Sequence, residues 1–261
     1  MAEVVIIDRA DAAGNLVAAA IRSLIEAKPD AVLGLATGST PMPIYQALVR
    51  SFATAPLDVS RVRGFALDEY VGLESGHAES YREVITRDVV VPLGLTPENI
   101  HVPRGSAAAL STAGEDYERA ITHAGGVDLQ ILGIGSTGHL GFNEPGSSLG
   151  SLTRVKTLAA QTRADNARFF ETAEDVPRLC ITQGLGTIMR ARHLVLLARG
   201  TGKATAIAAA LEGPITASQP ASVLQLHPHV TVVLDEAAAG QLGNLEYYRS
   251  AWANKLAWET I

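Results

Sequence analysis

The chain has 261 residues, enough for one large domain whose core needs no disulfide or metal ion to stabilise it. Its formal net charge of −6 is spread along the sequence without blocks, which argues against a nucleic-acid or anionic membrane surface. A small anionic ligand needs only a few local donors and stays compatible with that charge. A lone cysteine, Cys180, and the absence of a basic leader or of an apolar run of roughly 18 residues predict a soluble, cytoplasmic protein.

Short apolar runs alternate with helical patterns along the chain. The predicted strands are 4–7, 31–35, 63–67, 100–102, 127–132, 153–158, 179–182, 194–198 and 230–234. The predicted helices are 11–26, 41–51, 80–89, 112–123 and 202–211, with a short alanine-rich helix after the last strand. This alternation predicts an α/β fold, with a mainly parallel sheet covered on both faces, in one domain over residues 1–261. Ligands of such sheets bind beyond the carboxyl ends of the strands, so the residues there are the candidates for function.

The first polar strand end is "LATGSTPMPIYQAL". Gly38, Ser39 and Thr40 lie between a predicted strand and a helix that Pro41 opens. Backbone N–H groups and hydroxyls at a helix N-terminus form a ready anion site, although the lysine and spacing of a Walker loop are missing. An ordinary turn with a serine or threonine cap explains the same letters equally well.

The second is "FALDEYVGL", where Asp68 and Glu69 follow an apolar strand. An acidic pair in this position is typical of a helix cap or a turn. It is also compatible with a carboxylate base at the active edge of the sheet. The sequence leaves both interpretations open.

The third is "GIGSTGHLGFNEPGSS" at residues 133–148. Gly133, Gly135 and Gly138 allow the backbone to approach a ligand closely or to adopt positive φ. His139 lies near the strand end, and a loop could bring Glu144 back to one of its ring nitrogens. A carboxylate there would fix the tautomer and make the other nitrogen a better base. The alternative is a structural histidine beside a loop carboxylate, but the density of glycines favours a site.

Two basic side chains complete the candidate site. Arg168 lies in "TRADNARFF" and Lys203 in "RGTGKATA", the latter at a strand-to-helix junction. Beside the 38–40 loop, Lys203 would be a counter-charge for phosphate, although such a lysine is often only a solvated helix start. A metal site is not predicted, since no His-x-x-x-His helix or cysteine pair exists. A serine hydrolase is not favoured either, since no G-x-S-x-G elbow is present.

The sequence resembles the glucosamine-6-phosphate deaminase family, also called glucosamine-6-phosphate isomerases. The matching segments run through nearly the whole chain in order: "ATGSTPMPIYQAL", "LDEYVGL", "ESYREVI", "LGIGSTGHLGFNEPGSSL", "TRVKTL", "TRADNARFF", "ITQGLGTIMRARHLVLLARGTGKA" and "EGPITASQPASVLQLHPHVTVVLDEAA". The combination of "LDEYVGL" and "GHLGFNEP" is specific. Sugar-phosphate lactonases of the same superfamily share the "GST" loop and a "GH" element but are not expected to have "GFNEP".

The resemblance implies a modified Rossmann-like, three-layer α/β sandwich and an enzyme without an organic cofactor. It implies a hydrolase that converts glucosamine 6-phosphate and water to fructose 6-phosphate and ammonia, in amino-sugar catabolism and N-acetylglucosamine utilisation. Asp68 would move a proton from C2 to C1, and His139 would open the pyranose ring with the support of Glu144. The residues implied to hold the phosphate are Gly38, Ser39, Thr40, Arg168 and Lys203.

One position departs from the family pattern. The family has an aspartate two residues before the histidine, and this chain has Thr137. A hydroxyl donates or accepts but carries no charge, so it cannot stabilise an imidazolium as a carboxylate does. Three interpretations follow: slower ring opening with Glu144 alone orienting the histidine, a different hexosamine phosphate such as galactosamine 6-phosphate, or an engineered change at this position. A catalytically weakened protein that only binds sugar phosphate is an alternative function. A 6-phosphogluconolactonase and a sugar-phosphate sensor are further alternatives.

Part of the family forms hexamers that N-acetylglucosamine 6-phosphate regulates, which makes a homo-oligomer an expectation for this chain. The matching effector positions are Ser147, Arg154, Lys156 and Tyr247. Arg154 and Lys156 alternate with apolar residues, so the solvent face of a strand explains them as well. The tail "LEYYRSAWANKLAWETI" departs from the family end, which leaves the effector site a hypothesis.

Overall fold

The computed structural model describes residues 2–106, 110–256, 259 and 261. The strands are β1 (Glu3–Ile6), β2 (Val32–Leu35), β3 (Arg63–Ala66), β4 (Asp68–Tyr70), β5 (Ile100–His101), β6 (Leu129–Gly133), β7 (Arg154–Thr157), β8 (Leu179–Thr182), β9 (His193–Ala198) and β10 (Val230–Leu234). The helices are α1 (Ala10–Ala27), α2 (Met42–Thr54), α3 (Tyr81–Ile85), α4 (Val91–Leu93), α5 (Leu110–His123), α6 (Ala160–Asn166), α7 (Leu185–Ile188), α8 (Ala204–Leu211), α9 (Glu236–Ala239) and α10 (Leu245–Ala253).

Within the described residues, seven strands form one sheet in the order β1-β10-β9-β6-β2-β3-β5. Every neighbouring pair in it is parallel. A smaller antiparallel sheet has the order β4-β8-β7. The predicted α/β fold with a mainly parallel sheet between helices is therefore confirmed.

The central strands are buried on both faces, as is usual in a parallel sheet that helices cover. All residues of β2, β9 and β10 are buried, as expected for strands that helices cover on both faces. Helix α1 buries Ala13, Val17 and Ile21 on one face, at helical spacing. It approaches α2 closely at Gly14, which has no side chain. A Cβ there would lie 2.3 Å from the carbonyl oxygen of Pro43. Among the described residues, no helix combines the length and the apolar character that a membrane crossing requires.

Several elements differ from the prediction. Residues 68–70 form strand β4 of the small sheet, where a turn or a helix cap was one of the open interpretations. Helices α6 and α10 were not predicted, whereas helical residues were expected between the strands 179–182 and 194–198, where α7 lies. The predicted helix 80–89 begins with α3 and continues as a π-helical turn over Thr86–Val90. Short or polar segments such as 68–70 carry little periodicity, so their conformation depends on the strands that they contact.

Candidate active site

A cleft of about 830 Å³ opens beyond the carboxyl ends of the strands of the main sheet. Its walls come from the loops that follow β2, β3, β6 and β9, which are adjacent in the order β9-β6-β2-β3. The predicted residues that line it are Gly38, Ser39, Thr40, Asp68, His139, Arg168 and Lys203. Parallel strands bring these segments to one edge although they are far apart in the sequence.

Asp68 is the buried carboxyl group of the cleft, with a relative exposure of 6%. It stands on β4 opposite Thr182 of β8, and a Cβ on Gly141 would lie 3.2 Å from its Oδ2. Burial raises the pKa of Asp68 to about 8; the negative charge of Glu69 adds to this, and the N–H of Phe142 opposes it. A carboxyl group whose pKa lies near neutrality can both accept and return a proton.

Glu69 has a different environment from its neighbour. Its carboxylate accepts hydrogen bonds from the backbone N–H groups of Tyr70 at 2.8 Å, Tyr81 at 2.9 Å and Arg82 at 3.0 Å. Two of these donors belong to the first turn of α3, whose free N–H groups favour a negative charge. The structure thus divides the acidic pair: Glu69 caps a helix, and Asp68 faces the cleft.

His139, Thr137 and Glu144 form one hydrogen-bonded group. Thr137 Oγ1 lies 2.9 Å from His139 Nδ1 and donates to Glu144 Oε2 at 3.1 Å. His139 Nδ1 lies 3.4 Å from the same carboxylate oxygen. The other oxygen, Oε1, accepts a short hydrogen bond from Thr162. Burial alone would raise the pKa of Glu144, but the bonds from His139 and Thr162 lower it to about 2.

The position of the His139 imidazole requires a glycine at position 135. A Cβ on Gly135 would lie 2.2 Å from His139 Nε2 and 2.1 Å from its Cε1, so any side chain there would displace the ring. Gly138 adopts φ +78°, in the region that favours glycine. The glycines of this segment are therefore needed for the position of His139.

Two of the predicted residues bring positive charge to the cleft. Lys203 ends the short 3₁₀ turn before α8, and Arg168 lies in the 3₁₀ turn after α6. Burial lowers the pKa of Lys203, neighbouring Arg168 lowers it further, and Asp165 opposes the shift. Helix α2 has Pro41 as its N-cap and no side-chain cap, so the hydroxyls of the 38–40 loop do not cap it. A loop of free donors facing two cations is suited to an anion.

Sequence reasoning missed one wall of the cleft. Thr162, Asp165 and Asn166 of α6 line it, and Asn166 donates to the hydroxyl of Tyr70 at 2.9 Å. Their i, i+3, i+4 spacing was the available signal, since it places three polar side chains on one helix face. The aromatic lining residues that were also missed are Tyr70, Tyr81, Phe142, Phe169 and Phe170. No three histidine, cysteine or acidic side chains in the described ranges converge as a metal-binding group.

The four predicted effector residues lie on a strand, a loop and a helix. Arg154 and Lys156 stand on β7, where Arg154 donates to Asn143 Oδ1 at 2.8 Å. Ser147 is buried in the loop after Glu144, and its hydroxyl has no hydrogen-bond partner among the described residues. Tyr247 is exposed on α10, which packs against β1 at the edge of the main sheet. The effector site stays a prediction.

Comparison with known proteins shows the family of the chain. The sequence profile of the family described as glucosamine-6-phosphate isomerases/6-phosphogluconolactonase matches residues 7–233. The chain is 58% identical over 259 residues to a glucosamine-6-phosphate deaminase of Arthrobacter sp. (strain FB24), covering 99% of this chain and 100% of the relative. The chain belongs to the glucosamine-6-phosphate deaminase family. Another deaminase of that name, from Streptomyces avermitilis, is 56% identical over 99% of this chain and its own full length.

Solved structures of the glucosamine-6-phosphate deaminase superfamily have the same fold. A monomeric glucosamine-6-phosphate deaminase superposes with a TM-score of 0.89 at 39% identity, covering 92% of this chain and 99% of that one. A 6-phosphogluconolactonase from Trypanosoma brucei superposes with a TM-score of 0.75 at 18% identity, covering 93% of this chain and 99% of that one. The second likeness shows the fold alone.

Proposed function

We propose that this enzyme converts glucosamine 6-phosphate and water to fructose 6-phosphate and ammonia. The observation that carries the proposal is the placement of Asp68 and His139 in one cleft that Arg168 and Lys203 also line. These groups supply the three functions that the reaction needs: an anchor for the phosphate, a group that opens the ring and a base at C2. The names of the relatives support the same substrate.

The phosphate binds at the basic residues of the cleft. The 38–40 loop offers N–H and hydroxyl donors there, and Lys203 and Arg168 supply positive charge. Anchoring a group remote from the reacting carbons provides binding energy that orients C1 and C2.

His139 opens the pyranose ring. Its Nε2 takes the proton of the C1 hydroxyl while the bond from C1 to the ring oxygen breaks, and the imidazolium then returns a proton to that oxygen. Glu144, held ionised by its hydrogen bonds, stabilises the transient positive charge at 3.4 Å. The product is the open-chain aldehyde, whose C2 hydrogen is acidic.

Asp68 then moves a proton from C2 to C1. Burial keeps the pKa of Asp68 near 8, so the carboxylate is a stronger base than an exposed aspartate and still releases the proton to C1. When C2 loses its proton, the C1 oxygen becomes a hydroxyl and the intermediate is an enolamine. The C2 proton then goes to C1, and the N–H proton that the amine loses balances the proton gained by the C1 oxygen, so that C2 becomes an imine. Water adds to the imine, and ammonia leaves to give the ketone. The net change is an isomerisation coupled to hydrolytic deamination.

The first test is ammonia release from glucosamine 6-phosphate, with galactosamine 6-phosphate and 6-phosphogluconolactone as competing substrates. Glucosamine 6-phosphate is expected to be turned over fastest. Faster release from galactosamine 6-phosphate would identify another hexosamine phosphate as the substrate. Ester hydrolysis without ammonia would favour the lactonase, and binding without turnover would leave a sugar-phosphate-binding protein.

The second test follows the C2 hydrogen in deuterium oxide. Asp68→Asn is expected to lose exchange at C2 by about a hundredfold or more, because the amide cannot take the proton. Asp58→Asn makes the same change at an exposed aspartate and is the matched control. Retained exchange in Asp68→Asn would remove Asp68 from this role.

A further inference from the structure

Thr137 stands where the resemblance leads one to expect an aspartate, and it lies between the imidazole and the carboxylate of the ring-opening group. From its two hydrogen bonds we infer that Thr137 is a positioning residue that holds His139 in one tautomer, with the proton on Nδ1 and Nε2 left free towards the cleft. The tautomer rests on these hydrogen bonds and on the ionised carboxylate of Glu144, and only its kinetic consequence rests on the proposed function.

The hydrogen-bond donors and acceptors of Thr137, His139 and Glu144 match in one arrangement. Glu144 is ionised, because its hydrogen bonds outweigh burial and lower its pKa to about 2, so both oxygens only accept. The single hydroxyl proton of Thr137 goes to Glu144 Oε2 at 3.1 Å. The lone pair of Thr137 Oγ1 then faces His139 Nδ1 at 2.9 Å and needs a donor. All three atoms are satisfied only when Nδ1 carries the proton.

Nε2 of His139, on the opposite side of the ring, makes no hydrogen bond to any residue that the structure describes, and the ring lines the cleft. Gly135 packs against the ring, and its lack of a side chain leaves the space that the imidazole occupies. The unprotonated nitrogen is thus the one offered to a ligand.

Thr162 keeps the carboxylate in place for this arrangement. It donates to Oε1 of Glu144, so each carboxylate oxygen has its own threonine hydroxyl and rotation of the carboxylate would break a bond. Glu144 is buried to 8% relative exposure, which makes an unpaired oxygen costly. The two threonines differ in one respect that an experiment can use: Thr162 bonds Glu144, whereas Thr137 lies within hydrogen-bond distance of both Glu144 and His139.

The group of Thr137 and Glu144 has one carboxylate, whereas an aspartate at position 137 would give it two. A hydroxyl joins Glu144 and the imidazole by hydrogen bonds without adding a second negative charge. An imidazole with a free Nε2 is the form that takes the C1 hydroxyl proton in ring opening. Thr137 therefore sets the tautomer rather than reacting itself.

The decisive measurement is the long-range ¹H–¹⁵N NMR spectrum of the ¹⁵N-histidine-labelled protein without substrate, at a pH where His139 is neutral. His139→Gln assigns the signals. The wild type and Thr137→Ser are expected to show a protonated Nδ1 and an unprotonated Nε2. Thr137→Val removes the acceptor that lies 2.9 Å from Nδ1, at nearly constant volume, and leaves, among the described residues, only Glu144 Oε2 at 3.4 Å. It is therefore expected to shift the population towards the Nε2–H tautomer.

The matched control is Thr162→Val, which removes a hydroxyl from Glu144 but none from His139. It is expected to keep the Nδ1–H tautomer. Three results would each overturn the inference: a proton on Nε2 in the wild type, an unchanged tautomer in Thr137→Val, or an equal change in Thr162→Val.

Kinetics separate this inference from the proposed function. Thr137→Val is expected to lower kcat by about tenfold to a hundredfold with little change in KM, because general acid–base catalysis as a whole contributes roughly 10²–10⁴-fold. Thr137→Ser is expected to restore most of kcat. Absence of ammonia release from the wild type, together with the expected tautomers, would reject the function and keep the tautomer assignment. An unchanged kcat in Thr137→Val would reject the kinetic role of Thr137.

Discussion

Asp68 and Glu69 show how far two adjacent carboxyl groups can differ. Both are buried, and side chains that alternate along a strand point to opposite faces. Glu69 accepts hydrogen bonds from three backbone N–H groups. Asp68 lines the cleft, and its pKa is raised to about 8. Residue type alone cannot distinguish them, since the environment on each side of the strand decides the role.

The raised pKa of Asp68 predicts how stability depends on pH. In the unfolded chain the pKa returns to 3.8, so the folded state binds the proton more tightly. This contribution to stability is complete below the unfolded pKa and is lost as the pH rises to about 8. Asp68→Asn, which mimics the protonated form, should therefore be more stable than the wild type at alkaline pH, on the order of a few kcal/mol.

Urea unfolding of both proteins at about pH 4, pH 6 and pH 9 measures this difference. The advantage of Asp68→Asn should grow with pH and level off above the folded pKa. Asp58→Asn, at an exposed position, should show no such growth. A difference that is constant with pH would mean that Asp68 is not protonated in the folded protein.

At the scale of the element, helix α3 depends on two side chains before it. Ser80 accepts a hydrogen bond from the N–H of Glu83 at 3.3 Å, and Glu69 accepts from Tyr81 and Arg82. The helix has only five residues before its π-helical turn, so its first turn is a large part of it. Tyr81 at this turn also lines the cleft, so the cap supports the site.

Glu69→Gln is expected to lower the free energy of unfolding by about 1–3 kcal/mol, because the amide NH₂ cannot accept from a backbone N–H and the negative charge at the helix N-terminus is lost. Ser80→Ala should cost about 1 kcal/mol. Denaturant unfolding measures both, with Glu74→Gln as an exposed control. Unchanged stability in Glu69→Gln would show that its hydrogen bonds contribute nothing beyond those to water.

At the scale of the whole molecule, the topology assembles the cleft. The loops after β2, β3, β6 and β9 come from separate parts of the sequence, and the strand order places them side by side. Arg168 and the 38–40 loop enter from different elements and line the same cleft. These groups therefore come together only in the folded chain.

This arrangement predicts that inorganic phosphate stabilises the folded protein. At ten times its Kd, phosphate should add about 1.4 kcal/mol to the free energy of unfolding, seen as an increase in Tm. Lys203→Met and Arg168→Gln should lose most of this increase, whereas Arg61→Gln, at an exposed position, should keep it. An undiminished increase in Lys203→Met would place the phosphate elsewhere.

The sequence by itself determined the α/β class, because strands and helices of this length carry their periodicity locally. Its motifs determined the family, the glycine-rich segment around His139 and the candidates Asp68, Glu144, Arg168 and Lys203. The roles of these residues, the single domain and the effector site stay predictions.

Only the tertiary structure decided which polar groups meet. It separated Asp68 from Glu69, because strand β4 turns one side chain to the cleft and the other to α3. It placed Thr162 on Glu144 and Thr137 between Glu144 and His139. Periodicity describes neighbours along one element, whereas hydrogen bonds between elements depend on strand order and loop path. The sequence showed that Thr137 departs from the family pattern, but only the structure showed which side chains it contacts.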